Sequence, residues 1–301
     1  MTNDFLSLAD LSADEMLGLI DLADELKRKR DAGIAYRPLE GKTIALIFEK
    51  PSLRTRVTFE IGIFQLGGYG IFYQTRLGER ESVPDVARNL ERWNDCIVAR
   101  TFSHDSLLAL ADNASVPVIN ALTDKEHPCQ ILADAQALRK HKGGFDGLKL
   151  AFVGDGNNVF ASWVHFAARM GMQLTLVCPK GYEPCPEVMA FAQKHGGGRI
   201  QVTHDVEAGV AGADAVYTDV WASMGQEAEA AEREKVFAPY QVNDRLMSLA
   251  KKDSLFMHCL PAHRGSEVTD SVIDSPRSIV FDEAENRLHA QKAVMLTLMG
   301  S

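Results

Sequence analysis

The sequence predicts an α/β protein of two domains, each a parallel β-sheet flanked by helices. Short apolar runs with strand character alternate with amphipathic runs of helical period, and that alternation builds parallel sheets covered on both faces. The alternation comes in two series, with Lys142-Gly143-Gly144 as a boundary between them. A length of 301 residues suits two domains of ordinary size.

Taken in order, the first element is a helix. Ser12 and Glu15 have the spacing of a capping box, and Met16, Leu19, Ile20, Ala23 and Leu26 form one apolar face. Its end, Lys27-Arg28-Lys29-Arg30, reads as a solvated cationic terminus that complements the helix dipole. The first strand series is Thr43–Phe48, 69–73, 96–99 and 116–119, followed by a helix over about 128–141. The second series is Lys149–Val153, Gln173–Val177, Ile200–Thr203, Ala215–Thr218 and 254–257. A strand at 278–281 and a last helix complete the pattern, with Asp282 and Glu285 spaced like a second capping box. There is no fixed-period repeat.

Composition narrows the function. The chain is 46% apolar and 24% charged, which gives ample core for a soluble protein. A formal net charge of -9 argues against nucleic-acid binding, which needs a basic face to release counterions. An anionic substrate therefore needs a local basic pocket. Cys96, Cys129, Cys178, Cys185 and Cys259 are scattered without a Cys-x-x-Cys pair, as expected of reduced thiols in a cytoplasm. Asp4 and the lack of an early cationic segment lead us to expect no secretory leader. The apolar runs are too short to cross a bilayer, so no membrane association is expected.

The motifs fall at strand ends, where parallel sheets bind ligands. Phe48 to Glu60 is the most informative stretch. Pro51 and Ser52 stop a strand, and an amphipathic helix follows with Val57, Phe59, Ile61, Phe64 and Leu66 as candidate buried positions. A helix N-terminus with Ser52, Arg54 and Thr55 suits a small dianion such as phosphate. The spacing of a Walker A loop is absent. Arg100 ends a strand and calls for an anionic partner. His127 and Gln130 bracket Pro128 at a helix start and can bond a carbonyl or an amide. No metal-ligand spacing surrounds them.

Val153-Gly154-Asp155-Gly156-Asn157-Asn158-Val159 has a dinucleotide-like start, but Val159 replaces the third glycine and no ribose-binding acid ends the next strand. Asn157 and Asn158 instead offer amides to a polar ligand. Asp219 closes a strand and can hold an ammonium group, with the Ser223-Met224-Gly225-Gln226-Glu227 loop behind it. Cys259 follows His258, but adjacent residues on an extended chain point apart, so positioning suits Cys259 better than covalent catalysis. Arg287 lies in the first turn of the last predicted helix, unfavourably for the dipole, and needs an anionic partner.

The ordered set Ser-Leu-Arg-Thr-Arg, His-Pro-Cys-Gln, Asp-Gly-Asn-Asn, Ser-Met-Gly-Gln-Glu, His-Cys-Leu-Pro-Ala and Glu-Asn-Arg resembles the ornithine carbamoyltransferases. The resemblance runs from the first helix to the last. It implies transfer of the carbamoyl group from carbamoyl phosphate to the side-chain amine of L-ornithine, giving L-citrulline and phosphate in arginine metabolism. It implies no cofactor, no metal and no covalent intermediate.

By position, Ser52, Leu53, Arg54 and Thr55 would bind the phosphate of carbamoyl phosphate. Arg100, His127 and Gln130 would hold the carbamoyl group, and Arg287 would complete the anion site. Asn158, Asp219, Ser223 and Met224 would bind ornithine, with Cys259 and Leu260 beside the attacking amine. The catalytic set is then Arg54, Arg100, His127, Gln130, Asp219, Cys259 and Arg287. Residues 1–142 would form the carbamoyl-phosphate domain, completed by the last helix from about 283 to 301, and 143–282 the ornithine domain. N- and C-terminal helices would link the two. The family also implies a homotrimer with shared sites, in which Arg76 reaches the neighbouring subunit's phosphate. Many relatives have Thr where Leu53 stands, and Gln or His at Arg76. Ser223-Met224-Gly225 favours free ornithine over putrescine or an acylated ornithine.

Overall fold

Two parallel sheets organise the chain in a computed structural model that describes residues 3–222 and 227–300. The chain divides into two units, Met1–Gln136 with Glu285–Ser301, and Ala137–Ala284.

In the first unit, helix α1 (Ala13–Asp31) opens with the expected capping box: Glu15 N–H donates to the Ser12 hydroxyl, and Ser12 N–H to Glu15. Its buried face is the predicted one. Strands β1 (Thr43–Phe48), β2 (Tyr69–Gln74), β3 (Cys96–Arg100) and β4 (Val118–Leu122) form a parallel sheet in the order β2-β1-β3-β4. Helices α2 (Leu53–Leu66), α3 (Val83–Leu90) and α4 (His104–Asn113) connect them. Strand β4 starts two residues later than expected. Pro117 has no N–H for the ladder, so regular pairing begins at Val118, opposite Ile97.

The apolar face of α2 differs from the expected one. Phe59, Gly62, Ile63 and Leu66 are buried, whereas Val57, Ile61 and Phe64 are exposed, Phe64 by 74%. The helix has two apolar stripes. The row 59, 62, 63, 66 packs inward, and the row 57, 61, 64 faces out.

Helix α5 (Pro128–Lys142) carries the first boundary between the units. The second unit then runs β5 (Lys149–Val153), α6 (Asn158–Met170), β6 (Gln173–Val177), α7 (Pro186–His195), β7 (Ile200–Thr203), α8 (Val206–Val210) and β8 (Ala215–Thr218). It continues with α9 (Ala230–Phe237), α10 (Asp244–Leu249), β9 (Leu255–His258) and α11 (Asp270–Ile273). Its sheet is parallel, in the order β7-β6-β5-β8-β9. Its core on one side is aromatic: Phe152 stacks on Tyr217, and Trp163 meets Tyr217 and Phe166 edge-on.

The strand expected at 278–281 is absent. Ser278 makes one isolated bridge to Phe256, Ile279 N–H donates to Phe256 C=O at 3.0 Å, and helix α12 (Val280–Met299) begins at once. The apolar run was too short to separate strand from helix, and the acids Asp282 and Glu283 favour a helix start. Asp282 and Glu285 are accordingly not a capping box. Asp282 accepts from His141 at 2.7 Å, and Glu285 pairs with Lys27 and Arg30 at 2.7 and 2.6 Å. The second boundary between units falls inside α12, between Ala284 and Glu285.

Candidate active site

In each unit the strand order reverses at one place, and there the loops at the carboxyl ends of neighbouring strands leave in opposite directions. In the first unit that place lies between β1 and β3, where Phe48 pairs with Arg100. In the second it lies between β5 and β8, where Val153 pairs with Thr218. The motifs at these strand ends build one cluster in each unit.

The first cluster centres on Thr55, buried in the first turn of α2. Its hydroxyl accepts from Arg287 Nη2 at 3.1 Å and lies 3.5 Å from Arg100 Nη1. Arg287 is buried well inside α12 rather than in its first turn, and Nη1 donates to the Gln130 carbonyl oxygen. Gln130 Nε2 donates to Asp134 at 2.7 Å, which fixes the orientation of the amide. His127, immediately before α5, is buried. Burial holds its ring far below the ordinary histidine range, and Arg287, Arg100 and Arg54 push the same way. It is therefore a neutral imidazole among cations, able to donate to a carbonyl oxygen without adding charge.

Ser52 caps α2 by position but makes no side-chain capping bond. Leu53 points outward, 76% exposed, so that position can offer an anion its backbone N–H but no side-chain contact. Arg76 is exposed, its guanidinium 5.2 Å from the Phe102 ring.

The second cluster centres on Asp219, buried just beyond β8. Its Oδ1 accepts from Val220 N–H at 2.8 Å and from the Cys259 thiol at 3.0 Å. Its Oδ2 accepts from Asn157 Nδ2 at 2.8 Å. Asn157 also caps α6, its side-chain oxygen accepting from Val159 and Phe160 N–H. Asn157 thus bonds Asp219, while Asn158, expected to bind ornithine, is half-buried as the first residue of α6. Leu260 follows Cys259 with a left-handed backbone (φ 56°) and a cis bond to Pro261. Ser223 and Met224 lie outside the described residues.

Asp219, His258 and Cys259 bring one oxygen, one nitrogen and one sulfur within 4.8 Å of one another. Both His258 ring nitrogens already have partners, Leu260 N–H at 2.9 Å and Glu267 at 3.3 Å. The group is a hydrogen-bond network, with no imidazole lone pair left to bind a metal.

Sequence reasoning missed the supports. Glu49 accepts from Leu77 N–H at 2.9 Å and Phe102 N–H at 2.5 Å, tying the loop after β2 to the loop after β3. Its one signal was its place directly after β1. Asp134 was visible only as a carboxylate one turn beyond Gln130 in an apolar helix. Glu267 had no local signal.

Comparison with known proteins matches both units. The model described as aspartate/ornithine carbamoyltransferase, carbamoyl-P binding domain, matches residues 3–140, and its Asp/Orn binding domain counterpart matches 146–298. The ornithine carbamoyltransferase of Carboxydothermus hydrogenoformans is 54% identical, covering 99% of this chain and 97% of the relative. The solved ornithine carbamoyltransferase of Pyrococcus furiosus superposes with a TM-score of 0.96 at 48% identity, covering 99% of this chain and 97% of that one. An acetylornithine transcarbamylase complexed with acetylcitrulline is more distant, at 36% identity and a TM-score of 0.89 over 99% of each chain.

Proposed function

Because the chain belongs to the aspartate/ornithine carbamoyltransferase family, we propose the following reading of its two clusters. The protein transfers the carbamoyl group of carbamoyl phosphate to the side-chain amine of L-ornithine, releasing phosphate and L-citrulline. The observation that carries this reading is the neutral His127 surrounded by the charges of Arg54, Arg100 and Arg287, in the unit whose strand order reverses between β1 and β3, where Arg100 ends a strand.

The first cluster takes carbamoyl phosphate. Ser52, the backbone N–H of Leu53, Arg54, Thr55 and the N-terminus of α2 hold the phosphate. Arg100 and Arg287 neutralise charge shared between phosphate and carbonyl oxygen. His127 donates to the carbonyl oxygen, and Gln130 fixes the carbamoyl group and Arg287 together. These donors are in place before reaction, so they stabilise charge as it develops on the oxygen and the leaving phosphate.

The second cluster takes ornithine. Asp219, Asn158, Ser223 and Met224 bind it, and Cys259 and Leu260 orient its δ-amine. The ammonium first loses a proton to solvent. The neutral nitrogen then attacks the carbamoyl carbon, a C–N bond forms, and the C–O bond to phosphate breaks. The second nitrogen proton passes to a phosphate oxygen. Cys259 stays a thiol throughout and forms no covalent intermediate.

The exposed apolar side chains of α2 and β2, including Leu53, Phe64, Tyr69 and Tyr73, support a homotrimer in which another copy covers this face. In that assembly Arg76 contributes to the neighbour's phosphate site. Five free thiols support a reducing, cytoplasmic location. Among the described residues no helix is long and apolar enough to cross a membrane.

The test is citrulline formation from carbamoyl phosphate and ornithine, with putrescine and N-acetylornithine in parallel. Turnover with ornithine alone is expected. Turnover only with another amine would leave the anion site standing and overturn the ornithine site.

A further inference from the structure

The loop that carries Cys259 and Leu260 is anchored by two buried side chains that touch no substrate in this reading. His258, the last residue of β9, and Glu267 both lie fully out of solvent. His258 Nδ1 is 2.9 Å from Leu260 N, which can only donate. Nδ1 is therefore unprotonated, and the ring proton sits on Nε2. Nε2 faces Glu267 Oε1 at 3.3 Å. The same Oε1 accepts from His263 N–H at 2.5 Å. One carboxylate oxygen thus gathers the strand end and the returning chain of the 259–263 loop.

Between those two anchors Leu260 takes a left-handed conformation that a branched side chain rarely adopts. Its N–H bond to His258 holds it there. Cys259, one residue earlier, is aimed at Asp219 with its thiol 3.0 Å from Oδ1. The aim of the thiol therefore depends on the tautomer of His258, and the tautomer depends on an acceptor opposite Nε2.

We propose that Glu267 is a positioning residue for carbamoyl transfer. By accepting from His258 Nε2–H it fixes the histidine tautomer that holds Leu260 and presents Cys259 to the amine. This rests on the function proposed above, because it makes the amine side of the reaction the part that suffers when Glu267 is lost.

The experiment compares Glu267→Gln, which keeps an acceptor oxygen, with Glu267→Met, which has none. Glu267→Met is expected to raise KM for ornithine and lower kcat, together by about tenfold to a hundredfold, with KM for carbamoyl phosphate within about twofold. Glu267→Gln is expected to stay close to the unsubstituted enzyme. Cys259 alkylation, followed by peptide mapping without substrate, should quicken in Glu267→Met while Cys185 is unchanged. Equal losses toward both substrates, or a Gln variant as impaired as the Met variant, would overturn the proposal.

The tautomer can also be read directly in unsubstituted protein, from long-range nitrogen–proton spectra of histidine-labelled material. His258 should show a protonated Nε2 and a bare Nδ1. The opposite pattern would overturn the proposal even where Glu267→Met fails to fold. The spectra and alkylation need no turnover, so absent citrulline formation beside the expected tautomer would sink the functional reading, whereas the opposite tautomer beside normal turnover would sink this one alone.

Discussion

Replacing Thr55 with Val tests whether its hydroxyl touches the ligand or only steadies the arginines. The side chains are nearly the same size, so packing of this buried residue changes little, but the hydroxyl is lost. In the structure that oxygen accepts from Arg287 at 3.1 Å, with Arg100 at the limit of bonding distance, 3.5 Å. A bond from a charged donor contributes about 1.5–3 kcal/mol, nearly all of it here from the shorter contact. About 2 kcal/mol of stability should go, a drop in Tm of roughly 3 °C. Bound phosphate can take over as acceptor for Arg287, so this loss does not itself weaken binding.

What weakens binding is the missing donor to the phosphate. A hydrogen bond to an ionised oxygen is again about 1.5–3 kcal/mol, or roughly tenfold to a hundredfold in KM for carbamoyl phosphate. The assay is steady-state kinetics with each substrate varied in turn, beside thermal melts, with Thr55→Ser as the control that keeps the hydroxyl. KM for ornithine should not move. A Val variant that melts lower but keeps its KM for carbamoyl phosphate would refute the ligand role and leave Thr55 as a support for Arg287.

Other outcomes follow from the same geometry. Cys259→Ser keeps a hydroxyl bond to Asp219, so kcat should fall by about tenfold or less, with no burst of product in rapid-mixing experiments. Trapping a carbamoylated Cys259 in unsubstituted protein would contradict the positioning role. His289 is fully buried, and burial first, then Lys292, Arg30 and Lys27, lowers its pKa to about 3. Between pH 6.5 and that value the unfolded chain binds a proton there that the folded chain does not. Stability should therefore fall on acidification by up to about 1.4 kcal/mol per pH unit from this residue. Urea denaturation at pH 7 and pH 5 should show a shallower loss for His289→Gln, and equal slopes would exclude the effect. A Cβ at Gly156 would lie 2.4 Å from Pro184 N and 2.7 Å from Glu183 C, so Gly156→Ala should cost about 3 kcal/mol in urea denaturation and raise KM for ornithine through the shifted Asn157. Unchanged stability in the Gly156→Ala variant would show that the 183–184 segment yields freely.

The legible parts of this protein were those with local causes. Strand β1 and the strands of the second sheet announced themselves as short apolar runs bounded by turn residues, and α1 by its cap. Thr55, Arg100, Asp219 and Cys259 stood out because each lies at or just beyond the end of a strand, whereas Arg287 has no strand before it and lies inside α12. The errors arose where two local patterns coexist. Helix α2 carries two apolar rows, and periodicity alone does not say which one faces the sheet. The 278–281 run is apolar in either conformation, and the decision came from the single bridge at Ser278 and the helix that follows. Glu267 was invisible, and Asp134 and Glu49 faint, for a different reason. Each acts by accepting hydrogen bonds from groups that only the folded chain brings near, and a buried glutamate leaves no periodic trace.

The division of the chain has a consequence for how the protein is made. The second unit is one uninterrupted stretch, Ala137–Ala284, whereas the first is closed by Glu285–Ser301. On the ribosome the loops of the second unit therefore emerge and can fold while α12 is still in the exit tunnel. Thr55 must wait for Arg287, 232 residues downstream, before its hydroxyl has that partner. The Thr55 cluster of the first unit therefore closes only after α12 has left the tunnel, later than its own strands have emerged.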